Sequence, residues 1–233
     1  MFYFTNLSLR HLSVISLASL SLLSHNVHAQ PTRHIADPLN LTTNLGFGFD
    51  ADVLKVGGRL GGESQSISVN SNFSGDKWSL AYLYAPNDPK SNWNITSSIN
   101  RGKTDTEQGR FAHYKYQLGV INEFKGWLET AVFTEFAANY LEVKDSSTHN
   151  SLAAKAKVLI LKPWSERLYN QFSTELAGGI DGTERIETKV GLSLGYRISE
   201  QWSWELGYQY QKAKIDGVDD EETKWLLGFK SQF

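Results

Sequence analysis

The residues of this 233-residue chain most able to do chemistry are a few histidines and a long series of lysines and carboxylates. His149 stands beside Asn150 and Ser151, with Asp145 nearby, and His113 lies close to Arg110. A base near a hydroxyl and a carboxylate has the makings of a hydrolytic centre, but such centres are assembled in space rather than in sequence. No H-E-x-x-H or C-x-x-C pattern accompanies them, and cysteine is absent altogether. The expectation is therefore a protein that is not an enzyme, with no cofactor and no bound metal. The acidic run Asp216–Glu222 does not alter this, because it lacks the ligand spacing of an EF-hand loop.

The charged residues have a more regular pattern, since most alternate with apolar ones. One parity carries Lys77, Lys115, Lys155, Lys157, Lys189, Arg197, Lys224 and Lys230, together with Glu129, Glu135, Glu175, Glu187 and Glu205. The opposite parity carries runs such as Trp78-x-Leu80-x-Tyr82-x-Tyr84, Leu192-x-Leu194-x-Tyr196 and Trp202-x-Trp204-x-Leu206-x-Tyr208-x-Tyr210. Period two over segments of this length marks β-strands with unlike faces. Eleven such segments can be counted by eye. The pattern breaks only near residues 43–65, where Thr43–Asp50 and Ala51–Gly58 are expected to be two short strands.

Both ends of the chain point to one compartment. Arg10 and His11 precede the apolar run Leu12–Leu23, and Val27 and Ala29 supply the small residues of a cleavage site. This is the pattern of a secretory signal peptide over 1–29. Residues 30–42 lack periodicity and read as a periplasmic leader, and 43–233 hold the strands. The last strand alternates Trp225, Leu227, Phe229 and a terminal Phe233 against Lys224, Leu226, Gly228 and Lys230. The average chain is polar, with mean hydropathy −0.36, yet it contains 7 Trp, 10 Tyr and 12 Phe. Strands that offer apolar side chains at every second position account for both facts. Four of the tryptophans (Trp93, Trp127, Trp164, Trp202) flank expected periplasmic turns, as in an interfacial girdle. A net charge of −2 gives no basis for nucleic-acid binding.

The segment LSVISLASLSLLSHNVHA, the hairpin VGLSLGYRISEQWSWELGYQYQ and the final strand KWLLGFKSQF together resemble a Gram-negative outer-membrane β-barrel protein, small and porin-like. The resemblance implies an all-β, antiparallel transmembrane barrel. The even-strand rule makes it about 12 strands, with 10 as the alternative. It also implies surroundings of outer-membrane lipid and lipopolysaccharide, and it assigns Trp225, Leu227, Phe229 and Phe233 to a signal read by the barrel-assembly machinery. The charged parity then lines the lumen, where lysine and arginine exceed the acids. The expected function is a small channel for diffusion of small solutes, anions among them, or of acidic oligosaccharides. Two alternatives stay open: a closed structural or adhesion barrel whose outer loops meet a partner, and a lipid- or peptide-hydrolysing barrel built on His113 or His149. Outer loops are expected at 101–110, 142–150, 178–185 and 213–223.

Overall fold

The computed structural model describes residues 33–233 except 51–52, 87–92, 107–108, 127–128, 145–149 and 216. The signal segment, Trp127, Asp145 and His149 lie outside the described residues.

Twelve strands follow one another: β1 (Asn44–Asp50), β2 (Val53–Gly61), β3 (Gln65–Asn72), β4 (Trp78–Tyr84), β5 (Asn94–Thr106), β6 (Gly109–Lys125), β7 (Ala131–Val143), β8 (Ser151–Pro163), β9 (Leu168–Gly182), β10 (Arg185–Arg197), β11 (Trp202–Ile215) and β12 (Val218–Gln232). Each pairs antiparallel with its sequence neighbours. β1 pairs with β12 from Asn44↔Gln232 to Asp50↔Leu226, which closes the barrel. The extra strand needed for an even count is found where the period-two pattern broke, as β1 and β2. The turn between them reverses parity. Val53 therefore pairs with Asp50 and does not continue the face of Leu45, Phe47 and Phe49, and Leu54, Val56 and Leu60 take the outward places on β2.

The outward face holds the large apolar side chains. Phe47, Phe136, Leu118, Leu176, Leu192 and Trp225 are all exposed on the exterior, and Phe47 stacks on Phe229 across the closing pair at 5.1 Å. A continuous apolar exterior of this size has no place in water and matches the hydrocarbon of a bilayer. Trp225, Leu227 and Phe229 belong to this face.

Strand length divides the wall into two parts. β1–β4 have 7 to 9 residues, and β5–β12 have 13 to 17. A tilted strand needs roughly 9–11 residues to cross the hydrocarbon layer, so the short group reaches that length at most and the long group rises beyond it. β12 continues over 218–225 past its last pairing with β1, and β5 continues past Arg101 to Thr106 above β4. β5 and β12 approach each other although four strands separate them in the ring. The short strands supply no wall at that height.

The long outer loops expected at 101–110, 178–185 and 213–223 are not found. β9 ends at Gly182 and β10 begins at Arg185, while β11 ends at Ile215 and β12 begins at Val218. Gly182 (φ 80°) and Gly217 (φ 77°) adopt the left-handed conformation that such tight reversals require. Apolar alternation stops at the bilayer surface, but the ladder does not. Above the surface it is carried by opposite charges placed across from each other, Lys212↔Glu221 and Lys214↔Asp219.

Residues 33–43 form no strand. They turn into the mouth of the barrel at the end where both chain termini lie, the periplasmic end in the expected orientation. There Ile35, Leu39 and Leu41 pack with Leu83, Ile121, Phe133, Leu161 and Tyr169 of the inner wall.

Candidate functional site in the barrel lumen

The inward parity places charges at definite heights. In one row, neighbouring strands present Glu135, Lys157, Glu175 and Lys189 directly opposite one another, so the sign alternates around the wall. One step higher, Lys155 reaches Glu135 at 3.0 Å and Glu175 at 3.8 Å. Lys157 and Lys189 flank Glu175 in register and make no direct ion pair among the described residues. Nearer the outer end, the Lys115 Nζ donates to both oxygens of Glu187, at 2.8 and 3.0 Å, and the Arg185 Nε donates to the same carboxylate at 2.7 Å. Glu187 thus neutralises one of two cations. Arg185 is 1% exposed, and both of its terminal nitrogens are buried without a protein partner. At the ends of β1 and β2, Asp50 pairs with Lys55 and, at 3.7 Å, with Lys224. Buried charges persist only when compensated, and these pairs provide that.

Of two residues assigned to the lumen, one lies elsewhere and one stands at the outer rim near His113. Glu129 is in the β6–β7 turn, exposed and with φ 60°, because the Gly126 N–H donates to Thr130 O at 2.6 Å and closes the chain around it. Lys77 is exposed in the β3–β4 turn, where its N–H donates to Asn72 Oδ1 at 3.1 Å. Lys115, Glu135, Lys155, Lys157, Glu175, Glu187, Lys189, Arg197, Glu205, Lys224 and Lys230 all occupy inward register positions. Three inward cations escaped the sequence reading. Lys55 and Arg59 lie on β2, whose parity was misassigned, and Arg185 was placed in a loop that proves to be strand.

The two sides of the lumen differ. β6–β10 carry the charge rows. The side formed by β11, β12, β1 and β2 presents Gly46, Gly48, Gly57, Gly207 and Gly228, and along it runs a cavity of about 400 Å³. Arg59, Lys55, Lys230, Glu205, Ser203 and Tyr169 also line it. A side chain added at Gly228 would meet nothing within 4 Å.

Residues 33–41 sit at the periplasmic end of the barrel, against Arg59 and Lys230 of the cavity lining. Gln171 Nε2 donates to Ala36 O at 2.7 Å, Lys230 Nζ to Ile35 O at 3.3 Å, and an Arg59 guanidinium nitrogen to Asn40 O. Arg33 bridges Asp37 and Glu123 of β6, both at 2.8 Å. The His34 ring meets Tyr169 edge-on at 4.5 Å. Burial, with Arg197 and Lys230 nearby, lowers the His34 pKa to about 4. Burial raises that of Asp37 against the pull of Arg33.

Nothing among the described residues assembles a hydrolytic centre. His113 faces the lumen beside Gly102, and its Nδ1 is buried without a protein partner. The string Gly191-Leu192-Ser193-Leu194-Gly195 has the G-x-S-x-G spelling, a motif the sequence reading took to be absent. It lies in the middle of β10, where Ser193 pairs in register with Gln171 and Gly207, and the strand-to-helix turn that gives the spelling its chemistry is missing.

No family model and no curated protein matches the chain. Solved structures do. The chain is similar to the NanC porin, with TM-score 0.53 and 10% identity over 82% of this chain and 99% of that one. It is equally similar to the KdgM porin, solved in complex with disordered oligogalacturonate, with TM-score 0.53 and 8% identity over the same shares. The fold is that of a small outer-membrane porin. At such identities the likeness extends to the barrel and not to the side chains that line it.

Proposed function

We propose that the protein is an outer-membrane channel that passes small anionic solutes. The observation that carries this reading is the inner wall itself. Lysine and arginine outnumber the carboxylates there, and cations such as Lys157, Lys189 and Lys230 lie beside or across from a wall of glycine that leaves a cavity free. Fixed positive charge facing a water-wide path favours anions over cations. Acidic sugars fall within this solute class, and the complex of the KdgM porin with oligogalacturonate gives that choice a starting point.

The test is single-channel recording in planar bilayers under a salt gradient, first with chloride and then with glucuronate as the anion. Unitary conductance with a reversal potential on the anion side is expected. A reversal potential on the cation side would overturn the selectivity, and the absence of any conductance from folded protein would overturn the channel.

A closed structural barrel is the second reading, and one observation favours it: residues 33–41 fill the periplasmic mouth. The two readings differ in whether that filling is permanent.

A further inference from the structure

The segment 33–41 is held differently from every other part of the molecule. It adds no rung to the barrel ladder, and the ring of twelve strands is complete without it. Its shape is largely its own, because Asp37 N–H donates to His34 O at 2.9 Å, Asn40 N–H to Asp37 O at 3.1 Å, and Leu39 N–H to Asp37 Oδ1 at 2.7 Å. The barrel grips this preformed knob by two means. Gln171 on β9, Lys230 on β12 and Arg59 on β2 donate to its main-chain carbonyls. Ile35, Leu39 and Leu41 enter an apolar ring at the mouth. Side-chain donors on main-chain acceptors, with apolar anchors setting the position, are how a protein binds a peptide in a groove. The tether is short and firm, since Phe233 N–H donates to Thr43 O at 2.9 Å and Gly61 N–H to Thr43 Oγ1 at 3.1 Å, which fixes the point where the knob joins β1.

We propose that the periplasmic mouth is a peptide-binding site whose resident ligand is the chain's own segment 33–41, and that this ligand is a displaceable plug. The tether holds the plug at an effective concentration in the millimolar range. A free peptide therefore competes only when the resident copy is weakened. Main-chain recognition also makes the site tolerant of sequence. It accepts a short turn-forming peptide with apolar residues at the spacing of 35, 39 and 41.

The experiment uses the mature chain carrying Leu39→Asp and Leu41→Asp, which puts two carboxylates in the apolar ring, and a fluorescent synthetic peptide of residues 31–43. Folding is checked by heat-modifiable mobility in gels. Saturable peptide binding to the variant, at least tenfold tighter than to the unaltered chain, is expected. The same peptide with Ile35, Leu39 and Leu41 replaced by Ser should bind neither. Equal binding to both chains, or none to the folded variant, would overturn the proposal. If the double variant does not fold, Ile35→Ser, which removes one apolar anchor from the resident plug and leaves every residue of the seat unaltered, serves in its place with the same expected direction. Conductance is recorded in parallel. The proposal builds on the channel reading only there, where the variant should conduct more than the unaltered chain and the added peptide should reverse the gain. Peptide binding without conductance in either chain retains the plug and rejects the channel. Equal conductance with no binding rejects the plug and retains the channel.

Discussion

At the scale of single residues, the lumen contains charges whose removal should have very unequal costs. Glu187 is the one carboxylate within ion-pair distance of both Lys115 and Arg185 among the described residues. Glu187→Gln leaves two cations in a buried site, and removing one member of a buried pair costs about 3–5 kcal/mol. The urea midpoint of the folded barrel should fall clearly. Lys55→Ala, at an ion pair whose lysine is 45% exposed, should shift it by less than about 1 kcal/mol. Equal shifts would show that the inner network is not load-carrying in this way. His34 gives a pH dependence. Its Nδ1 accepts from the Ala36 N–H at 3.2 Å, so the docked ring is neutral. Arg197 of β10 and Lys230 of β12 oppose its protonation. Tyr169 of β9 meets it edge-on and donates to Glu205 of β11, while Arg33 and its partner Asp37 lie on the same segment. With a docked pKa of about 4 against 6.5 when free, docking is fully supported above pH 6.5 and loses support as pH falls towards 4. The raised pKa of Asp37 acts with the opposite sign, because docking gains when that buried carboxylate takes a proton. Acidification from pH 7 to 5 should therefore weaken the plug, and His34→Gln should remove the weakening or reverse it. Peptide binding and conductance at the two pH values check this, and an unchanged pH response in His34→Gln would contradict it.

At the scale of elements, sequence and structure agree wherever a bilayer imposed alternation. The inward positions of Lys155, Lys157, Glu175 and Lys189 follow from parity alone, because one face of each strand must meet hydrocarbon. Where that demand lapses, the sequence becomes hard to read. Arg185 is the first residue of β10, three places after Gly182 of the turn and one before the outward Ile186, and no residue pattern there marks where loop ends and strand begins. Residues 33–41 have no periodicity, and their partners Leu83, Phe133 and Tyr169 lie 40 to 140 positions away, a relation that no local pattern encodes. Glu129 was misplaced for the opposite reason, since the alternation seemed to run on through a turn. The glycine strands yield a prediction of their own. Gly228→Ile adds a side chain where nothing stands within 4 Å. The barrel should fold with unchanged thermal stability, and its unitary conductance should drop severalfold. Full conductance would place the solute path elsewhere.

At the scale of the whole molecule, the barrel is asymmetric in two directions. Along its axis, short strands leave a low side and long strands a high one, and above β1–β4 the strands β5 and β12 lean towards each other. Across its axis, the alternating charge rows fill one half of the section, while in the other half glycines among Lys55, Arg59, Lys230 and Glu205 leave a cavity. This second half comprises β11, β12, β1 and β2, and within it the first and last strands meet. On the proposed channel reading, the conduit lies along the seam. A chain halted with every hairpin made but the seam unjoined would already hold its ion pairs between β6 and β10, and it would have no passage. The passage comes into being with closure, in the same event that brings Thr43 to Phe233 and sets the plug over its seat. A barrel completed in this way is shut from the moment it exists, so the membrane it enters would not be breached during assembly.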